Sequence, residues 1–315
     1  MEAWQFYGTN KPLKLDEIPD PKPGPGEVVL AVKAAGICHS DVGALEDEGW
    51  MPLFPKLPVA MGHEVAGEII EVGEGVTDWK VGDRVGICPT ASDTTPGYSR
   101  DGGFAYQHRA PVTDLVRMPE GLSYELAAAG TDAGMTSYYA MMTIGGVKVG
   151  DKVAVIGFGG LGQIGARVAV VTGAQVTVVE INEDVWPEAE KTGVDKIVKS
   201  VDDLEADAYD VVVDYAGFGD TTAKSINAIR RDGTIVVVGM GKLEATINTR
   251  DVILKQARIL GSNGGTVEDV AACYELFASG AVVPAMTTIG FDEIPDGIEK
   301  LKRGEVTGRL VALIE

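Results

Sequence analysis

The apolar positions of the chain change their spacing partway along it. In the first third they come in short runs punctuated by Gly and Pro. The turn cluster Pro21-Lys22-Pro23-Gly24-Pro25-Gly26 leads into 27–34, where Val28, Leu30 and Val32 alternate with Val29, Ala31 and Lys33. Segments 66–72 and 83–87 read as further strands, with Gly73-Glu74-Gly75 between them. Closely spaced strands with turn signals predict a small barrel or sandwich. From about Gly134 apolar runs alternate with helical patterns instead. Strands are predicted at 152–157, 175–180, 210–215 and 234–239, and helices at 159–172, 183–192 and 221–229. Runs such as Val211-Val212-Val213 suit strands covered on both faces, so this region predicts a doubly wound parallel sheet and an α/β fold class. One more helix, near 267–278, precedes a closing strand at 309–314. Neither repeats nor linkers separate the two regions, which predicts a broad interface between them.

Charge narrows the possible functions. Asp and Glu number 47 against 27 Lys and Arg, a formal net charge of -20. A general nucleic-acid binder or a protein attached to an anionic membrane would need the opposite excess. Three cysteines are too few and too scattered for a disulfide framework, which predicts a reducing, cytoplasmic setting. The N-terminus, Met1-Glu2-Ala3-Trp4-Gln5, lacks the basic and apolar blocks of a signal peptide. The most apolar stretch, 153–179, carries Gln163, Arg167, Gln175 and six glycines, so it reads as a buried strand, helix and strand.

That stretch also holds the first chemical motif. Val153-Ala154-Val155-Ile156 is followed by Gly157-Phe158-Gly159-Gly160-Leu161-Gly162. In a G-x-G-x-x-G between strand and helix, Gly157 would make the tight turn and Gly159 would let a pyrophosphate approach. Gly162 would let helix and strand pack, with the helix opening over Gly160 and Leu161 toward the phosphates. Glu180 ends the next strand 18 residues beyond Gly162, where a ribose contact is expected. A carboxylate there accepts from ribose hydroxyls and repels a 2′-phosphate, which favours NAD over NADP. No arginine follows in Ile181-Asn182-Glu183-Asp184. The alternative is a Gly-rich turn without a ligand.

Two further motifs are Gly36-Ile37-Cys38-His39-Ser40-Asp41 and Gly62-His63-Glu64-Val65-Ala66-Gly67. A lone Cys is usually a core residue and a lone His usually structural. The second motif, continued by Gly73 and Val76, together with Gly82-Asp83-Arg84-Val85, Asp101-Gly102-Gly103-Phe104-Ala105 and Gly308-Arg309, closely resembles the zinc-dependent alcohol dehydrogenases of the medium-chain dehydrogenase/reductase family. The resemblance spans nearly the whole chain. It implies a GroES-like β-barrel catalytic domain at 1–133, a Rossmann NAD-binding domain at 134–261 and a return to the catalytic domain at 262–315. It also implies a zinc ion in the cleft beside the nucleotide domain, held by Cys38, His63 and Asp132. Many members carry Cys at the last position, and a carboxylate is a competent zinc ligand. Asp132 could instead cap a helix starting there, and Glu64 could serve as an alternate ligand. Asp41 would orient His63 through its other ring nitrogen.

Further roles follow from the same resemblance. Ser40 matches the hydroxyl that carries the proton, Thr136 the contact to the nicotinamide side, and His39 and Arg309 cationic contacts to the pyrophosphate. Val238 and Ser262 match further cofactor contacts. The implied activity is hydride transfer between an alcohol and NAD, or aldehyde and ketone reduction in reverse. The substrate would be a small molecule and the enzyme a homo-oligomer, dimer or tetramer, with neither nucleic acid nor membrane as partner. Two rivals are a zinc-free quinone or enone reductase on the same fold and a non-catalytic nucleotide-binding redox sensor. The trio Cys38, His63 and Asp132 argues against the first, and Ser40 with Thr136 against the second.

The chain departs from the family twice. Many members bind a structural zinc through four closely spaced cysteines, but Gly86 to Arg100 contains Cys88 alone. One catalytic zinc and no structural zinc are therefore expected, with a short loop around Thr94-Thr95-Pro96-Gly97-Tyr98. Some members also end the proton relay on a His at the position that is Gly43 here. The proton would then pass to water or His39, with His108 a structural residue of the barrel. The apolar cluster within 46–54 could line the substrate mouth or simply pack.

Overall fold

The computed structural model describes residues 1–315, which form two compact units. The first comprises Met1–Met135, Gly265–Gly280 and Ala285–Glu315; the second comprises Thr136–Gly264 and Ala281–Pro284. Ala281–Pro284 is tied to the second unit by Arg167, whose Nε donates to the Ala281 carbonyl at 2.7 Å.

The first unit is built on the strand Glu27–Ile37. It pairs antiparallel with Glu64–Val72, with Gln107–Pro111 and, at its far end, with Arg309–Leu313. Arg84–Ile87 and Leu115–Arg117 extend the sheet on one side and Met286–Gly290 on the other. The expected alternation over 27–34 is only partly realised: Val28, Val29 and Leu30 are all buried. The helix Tyr124–Ala129 packs on this strand, so both of its faces are covered along much of its length. Phe6, Leu30, Ile37, Val65, Ile69, Ile87 and Phe104 lie in one apolar core.

Some elements escape the sequence pattern. Lys14–Glu17 pairs with Glu2–Phe6, although three of its four residues are exposed. No apolar face announces such a strand, and only its partner defines it. Beyond the expected helix Val267–Ala278, the C-terminal region holds a second one, Ile294–Lys302. Met286–Gly290 and Arg309–Leu313 are parallel neighbours, and parallel neighbours need a crossover, which this helix supplies. Ile294, Ile298 and Leu301 form its buried stripe.

The second unit is a six-stranded, wholly parallel sheet. Its order is Lys196–Val198, Gln175–Val179, Lys152–Ile156, Tyr209–Asp214, Ile229–Val237 and Arg258–Gly261. The order reverses beside Lys152–Ile156, the place where doubly wound sheets bind ligands at strand C-termini. The helix after the glycine motif starts at Gly162 rather than Gly159, because Gly159 to Leu161 remain in the turn. The predicted helix 183–192 splits into a 3₁₀ turn, Glu183–Val185, and the helix Trp186–Lys191, which has Pro187 in its first turn. No helix is long and apolar enough to cross a membrane.

Candidate active site

Strand register brings the chemical residues of the first unit together. Gly36 pairs with Glu64, so Cys38 and His63 emerge side by side just past the paired ends. The chain then enters the helix His39–Glu46, with Cys38 as its N-cap. Asp41, at the third helical position, is completely buried and holds both motifs. Its Oδ2 accepts from the Cys38 amide at 2.9 Å, and its Oδ1 faces His63 Nδ1 at 3.4 Å. His63 Nε2 is thereby aimed the other way, toward Ser40 Oγ and Asp132 Oδ2, each at 3.3 Å.

Asp132 does not cap a helix. The helix Tyr124–Ala129 is capped by Ser123 and continues through the π-helical turn Gly130–Gly134 into Met135–Tyr138. Asp132 sits in that wide turn, a local break that helices commonly place at functional sites. Glu64 is fully buried, with Oε1 paired to Arg309 and Oε2 lacking any hydrogen-bond partner. Its carboxylate occupies the space beside Gly36, where a Cβ would lie 1.9 Å from Oε2. Arg309 also donates to the Ile37 carbonyl at 3.3 Å.

One donor atom from each of Cys38, His63, Glu64 and Asp132 lies within 4.8 Å of the others. A thiol, an imidazole and two carboxylates, with one carboxylate oxygen unsatisfied in the interior, make a donor set that fits zinc. The local field attracts cations. Burial opposes a charge on His63, yet Tyr98, Asp41 and Asp132 around it together outweigh burial and hold it well above the usual imidazole range. Burial pushes the Glu64 carboxyl up, against the pull of the Arg309 guanidinium. His39 moves the opposite way, lowered by burial and by the nearby Arg309 charge. Arg309, at 3% exposure, is paired with Glu64.

The short loop contributes a residue that sequence reasoning missed. Asp101 to Phe104 run along Ala60 to Gly62 with three backbone bonds of 2.7–2.8 Å. Just before them the tight turn at 95–100 presses Gly97 against Gly62, where a Cβ would come within 2.8 Å of the Gly62 amide. Tyr98 is thereby carried over His63, with ring centroids 5.5 Å apart, and it stacks on Trp50 at 6.3 Å. Phe54 lies 5.1 Å away on another side. Trp50 in turn covers Gly43, where a Cβ would meet its indole at 2.8 Å. The position that could have carried a relay histidine is thus filled by tryptophan. His108, expected to be structural, is buried and pushed down to about 3 by desolvation. Cys88 is also buried, its sulfur 3.6 Å from Met135 Sδ.

In the second unit three glycines of the motif differ in what surrounds them. Gly157 has φ +86°, a left-handed conformation that glycine adopts freely. A Cβ at Gly162 would lie 1.8 Å from the Gly157 carbonyl oxygen, so strand and helix meet there. A Cβ at Gly159 would meet nothing within 4 Å, and its φ is not in the left-handed region. Neither packing nor backbone strain requires glycine there, which leaves open space for a ligand backbone to fill. Glu180 stands at the end of the neighbouring strand, accepting from Phe158 N at 2.7 Å and Asn182 N at 2.8 Å. Val238 follows the strand Ile229–Val237, its amide donating to Asp214 O, while Ser262 has a buried hydroxyl without a partner. Thr136 also belongs to this unit and is buried.

The same two units recur in known proteins. Residues 24–120 match the alcohol dehydrogenase GroES-like domain and 160–279 the zinc-binding dehydrogenase domain. An alcohol dehydrogenase of Geobacillus stearothermophilus is 34% identical over 343 aligned positions covering 100% of both chains. Among solved structures, an acetophenone reductase from Geotrichum candidum in complex with NAD is 30% identical. It superposes with a TM-score of 0.90, covering 99% of this chain and 96% of that one. An alcohol dehydrogenase from Aeropyrum pernix superposes with a TM-score of 0.91 at 29% identity, over 99% of this chain and 100% of the other. In sequence, in fold and in the donor set gathered around His63, the chain belongs to the medium-chain alcohol dehydrogenase family.

Proposed function

We propose that this enzyme transfers hydride between a small alcohol and NAD, reducing an aldehyde or ketone in the reverse direction, with one zinc ion held by Cys38, His63 and Asp132. The observation that carries this reading is the meeting of Cys38, His63, Glu64 and Asp132 donor atoms within 4.8 Å. A zinc ion there supplies Lewis acidity to the substrate oxygen, and the nicotinamide supplies or accepts the hydride. The rest falls to the chain. Asp41 fixes the His63 ring so that Nε2 faces the donor cluster. Ser40, whose Oγ lies 3.3 Å from Nε2, would take up the proton that a substrate hydroxyl releases. Glu64, tied to Arg309, remains an alternate ligand with Oε2 to offer.

Gly157, Gly159, Gly160, Leu161 and Gly162 would hold the dinucleotide. Thr136 would contact the nicotinamide side, His39 and Arg309 the pyrophosphate, and Val238 and Ser262 would be further cofactor contacts. Glu180 selects NAD over NADP by accepting from the adenosine ribose and repelling a 2′-phosphate. The first unit would act as the catalytic domain and the second as the NAD domain. A structural zinc is absent, because Cys88 stands alone in its segment and is engaged with Met135. The alignment of 343 positions against 315 residues supports a shortened chain. Three unpaired cysteines suit the cytoplasm, and the enzyme assembles as a homo-oligomer.

Metal analysis joined to an alcohol and aldehyde assay tests this. About one zinc per chain is expected, with greater activity on NADH than on NADPH. Asp132→Ala should lose zinc and activity while still binding NADH. Full zinc in that variant would move the ligand role to Glu64, and active protein without zinc would favour the quinone or enone reductase reading.

A further inference from the structure

We propose that Ser137 is a positioning residue for the dinucleotide, its hydroxyl holding the Leu161 carbonyl and so aiming the Gly162 amide at the pyrophosphate. The inference rests on the cofactor role proposed for the turn at 157–162. Ser137 is completely buried in the helix Met135–Tyr138. Its Oγ donates to the Leu161 carbonyl at 2.9 Å. The Tyr215 hydroxyl in turn donates to the Ser137 carbonyl at 3.0 Å. All three residues belong to the second unit. The two bonds span 24 and 78 positions of the chain, so no local pattern announces them.

The effect follows from peptide geometry. In a planar trans peptide the carbonyl and the next amide point in opposite directions, so holding the Leu161 carbonyl also fixes the Gly162 N–H. Gly162 opens the helix Gly162–Thr172. The amides of a first turn have no partner inside their helix and face an anion beyond its N-terminus. The Leu161 carbonyl already accepts from the Gly165 amide at 2.9 Å, as the helix requires. Ser137 takes its second lone pair. That bond is not needed to satisfy the carbonyl; what it adds is a fixed direction for the amide of the same peptide. An amide already aimed binds an anion without the cost of being ordered on binding.

The neighbouring residues make room for this arrangement. Tyr215 follows the strand Tyr209–Asp214, and its amide donates at 3.0 Å to the carbonyl of Ile156, the last residue before the turn. Its side chain runs beside the helix, where a Cβ at Gly165 would lie 2.2 Å from the hydroxyl oxygen and one at Gly162 3.8 Å from the ring. Glycine at 165 thus leaves the space that the Tyr215 hydroxyl uses to reach Ser137. The turn is tied at both ends, Ile156 to the Tyr215 backbone and Leu161 to the Ser137 side chain.

Competition binding on the zinc-loaded protein decides the matter, with NADH, ADP-ribose and adenosine as the probes. Ser137→Ala should raise the Kd of NADH and of ADP-ribose about fivefold, the order expected for one hydrogen bond. Adenosine, which has no phosphate, should keep its wild-type Kd within about twofold, and kcat at saturating NADH should not fall. Tyr215→Phe keeps the ring and removes only the hydroxyl. It should weaken NADH and ADP-ribose about threefold, and by less than about twofold in the Ser137→Ala background, because it acts through Ser137. Unchanged NADH affinity in Ser137→Ala would overturn the positioning role; should that variant not fold, the same result in Tyr215→Phe would do so. Equal losses for ADP-ribose and adenosine would mark a merely structural residue and equally overturn it. If the wild-type protein bound none of the three probes, the cofactor reading of the turn would fall, and this proposal with it.

Discussion

Gly43 and Gly36 decide more of this site than any charged residue's identity would suggest. Each is glycine because another side chain occupies the space its Cβ would need. Trp50 fills the one, with atoms 2.8 Å from an added Cβ, and the Glu64 carboxylate fills the other. A histidine therefore cannot be restored at Gly43 without expelling the indole. Gly43→Ala alone should cost about 1–3 kcal/mol through overpacking. Urea unfolding would measure the loss, and a shift in tryptophan emission would report the displaced Trp50. An unshifted, equally stable variant would show that the indole moves freely. At this scale the sequence was most legible in donor types: Cys38, His63 and Glu64 stand in two motifs, Asp132 at the position the resemblance implies, and one donor atom of each lies within 4.8 Å of the others. Trp50 and Tyr98 were not legible as partners. Their motifs lie 48 positions apart in the numbering, and nothing local says that one ring will stack on the other.

Among the elements, the segment from Gly86 to Arg100 and the wide-turned helix do the positioning. The segment is closed by a buried ion pair: Arg100 meets Asp114 at 2.5 Å, and Ser92 Oγ also donates to Asp114 at 3.0 Å. Removing the cation leaves a fully buried carboxylate without its countercharge. Arg100→Ala should therefore destabilise the chain by about 3–5 kcal/mol, and limited proteolysis should open 90–99 first. Intact protection of that segment would argue that backbone bonds alone hold it. The helix run could be read only in part. Ser123 at an N-cap and the apolar Ala127 to Ala129 are ordinary helix signals, whereas the π-helical turn Gly130–Gly134 is imposed by what packs there. A Cβ at Gly130 or Gly134 would come within 2.6 Å of Tyr274 or Cys273, both on the distant helix Val267–Ala278. Tertiary contact, rather than local propensity, sets the geometry that turns Asp132 toward His63.

For the molecule as a whole, charge is the dominant uncompensated quantity. A net charge of -20 on 315 residues means mutual repulsion among surface carboxylates. Most ion pairs are exposed, as in Lys199–Glu183 and Lys224–Asp202, and so contribute little each. Salt screens repulsion between exposed charges over a Debye length of about 10 Å at 0.1 M and about 3 Å at 1 M. The Tm should accordingly rise by several degrees between low salt and 1 M NaCl, read by calorimetry at fixed pH. A fall over that range would mean that attractive pairs outweigh the net repulsion. The same surface repels anions in bulk, so a dinucleotide must rely on local devices such as the open backbone at Gly159.

By itself the sequence determined the alternation of strands and helices, the glycine turn after Lys152–Ile156, the donor types and the absence of a cysteine cluster. These are properties of spacing and side-chain chemistry, which a linear pattern carries directly. Only the tertiary structure decided which residues stand next to which. The pairing of Gly36 with Glu64 set Cys38 beside His63, Asp41 chose which imidazole nitrogen faces the donors, and Gly97 against Gly62 delivered Tyr98. Each of these depends on a register or a close approach between segments far apart in the chain. Such contacts follow from packing the whole unit and leave no periodic trace in the residues that make them.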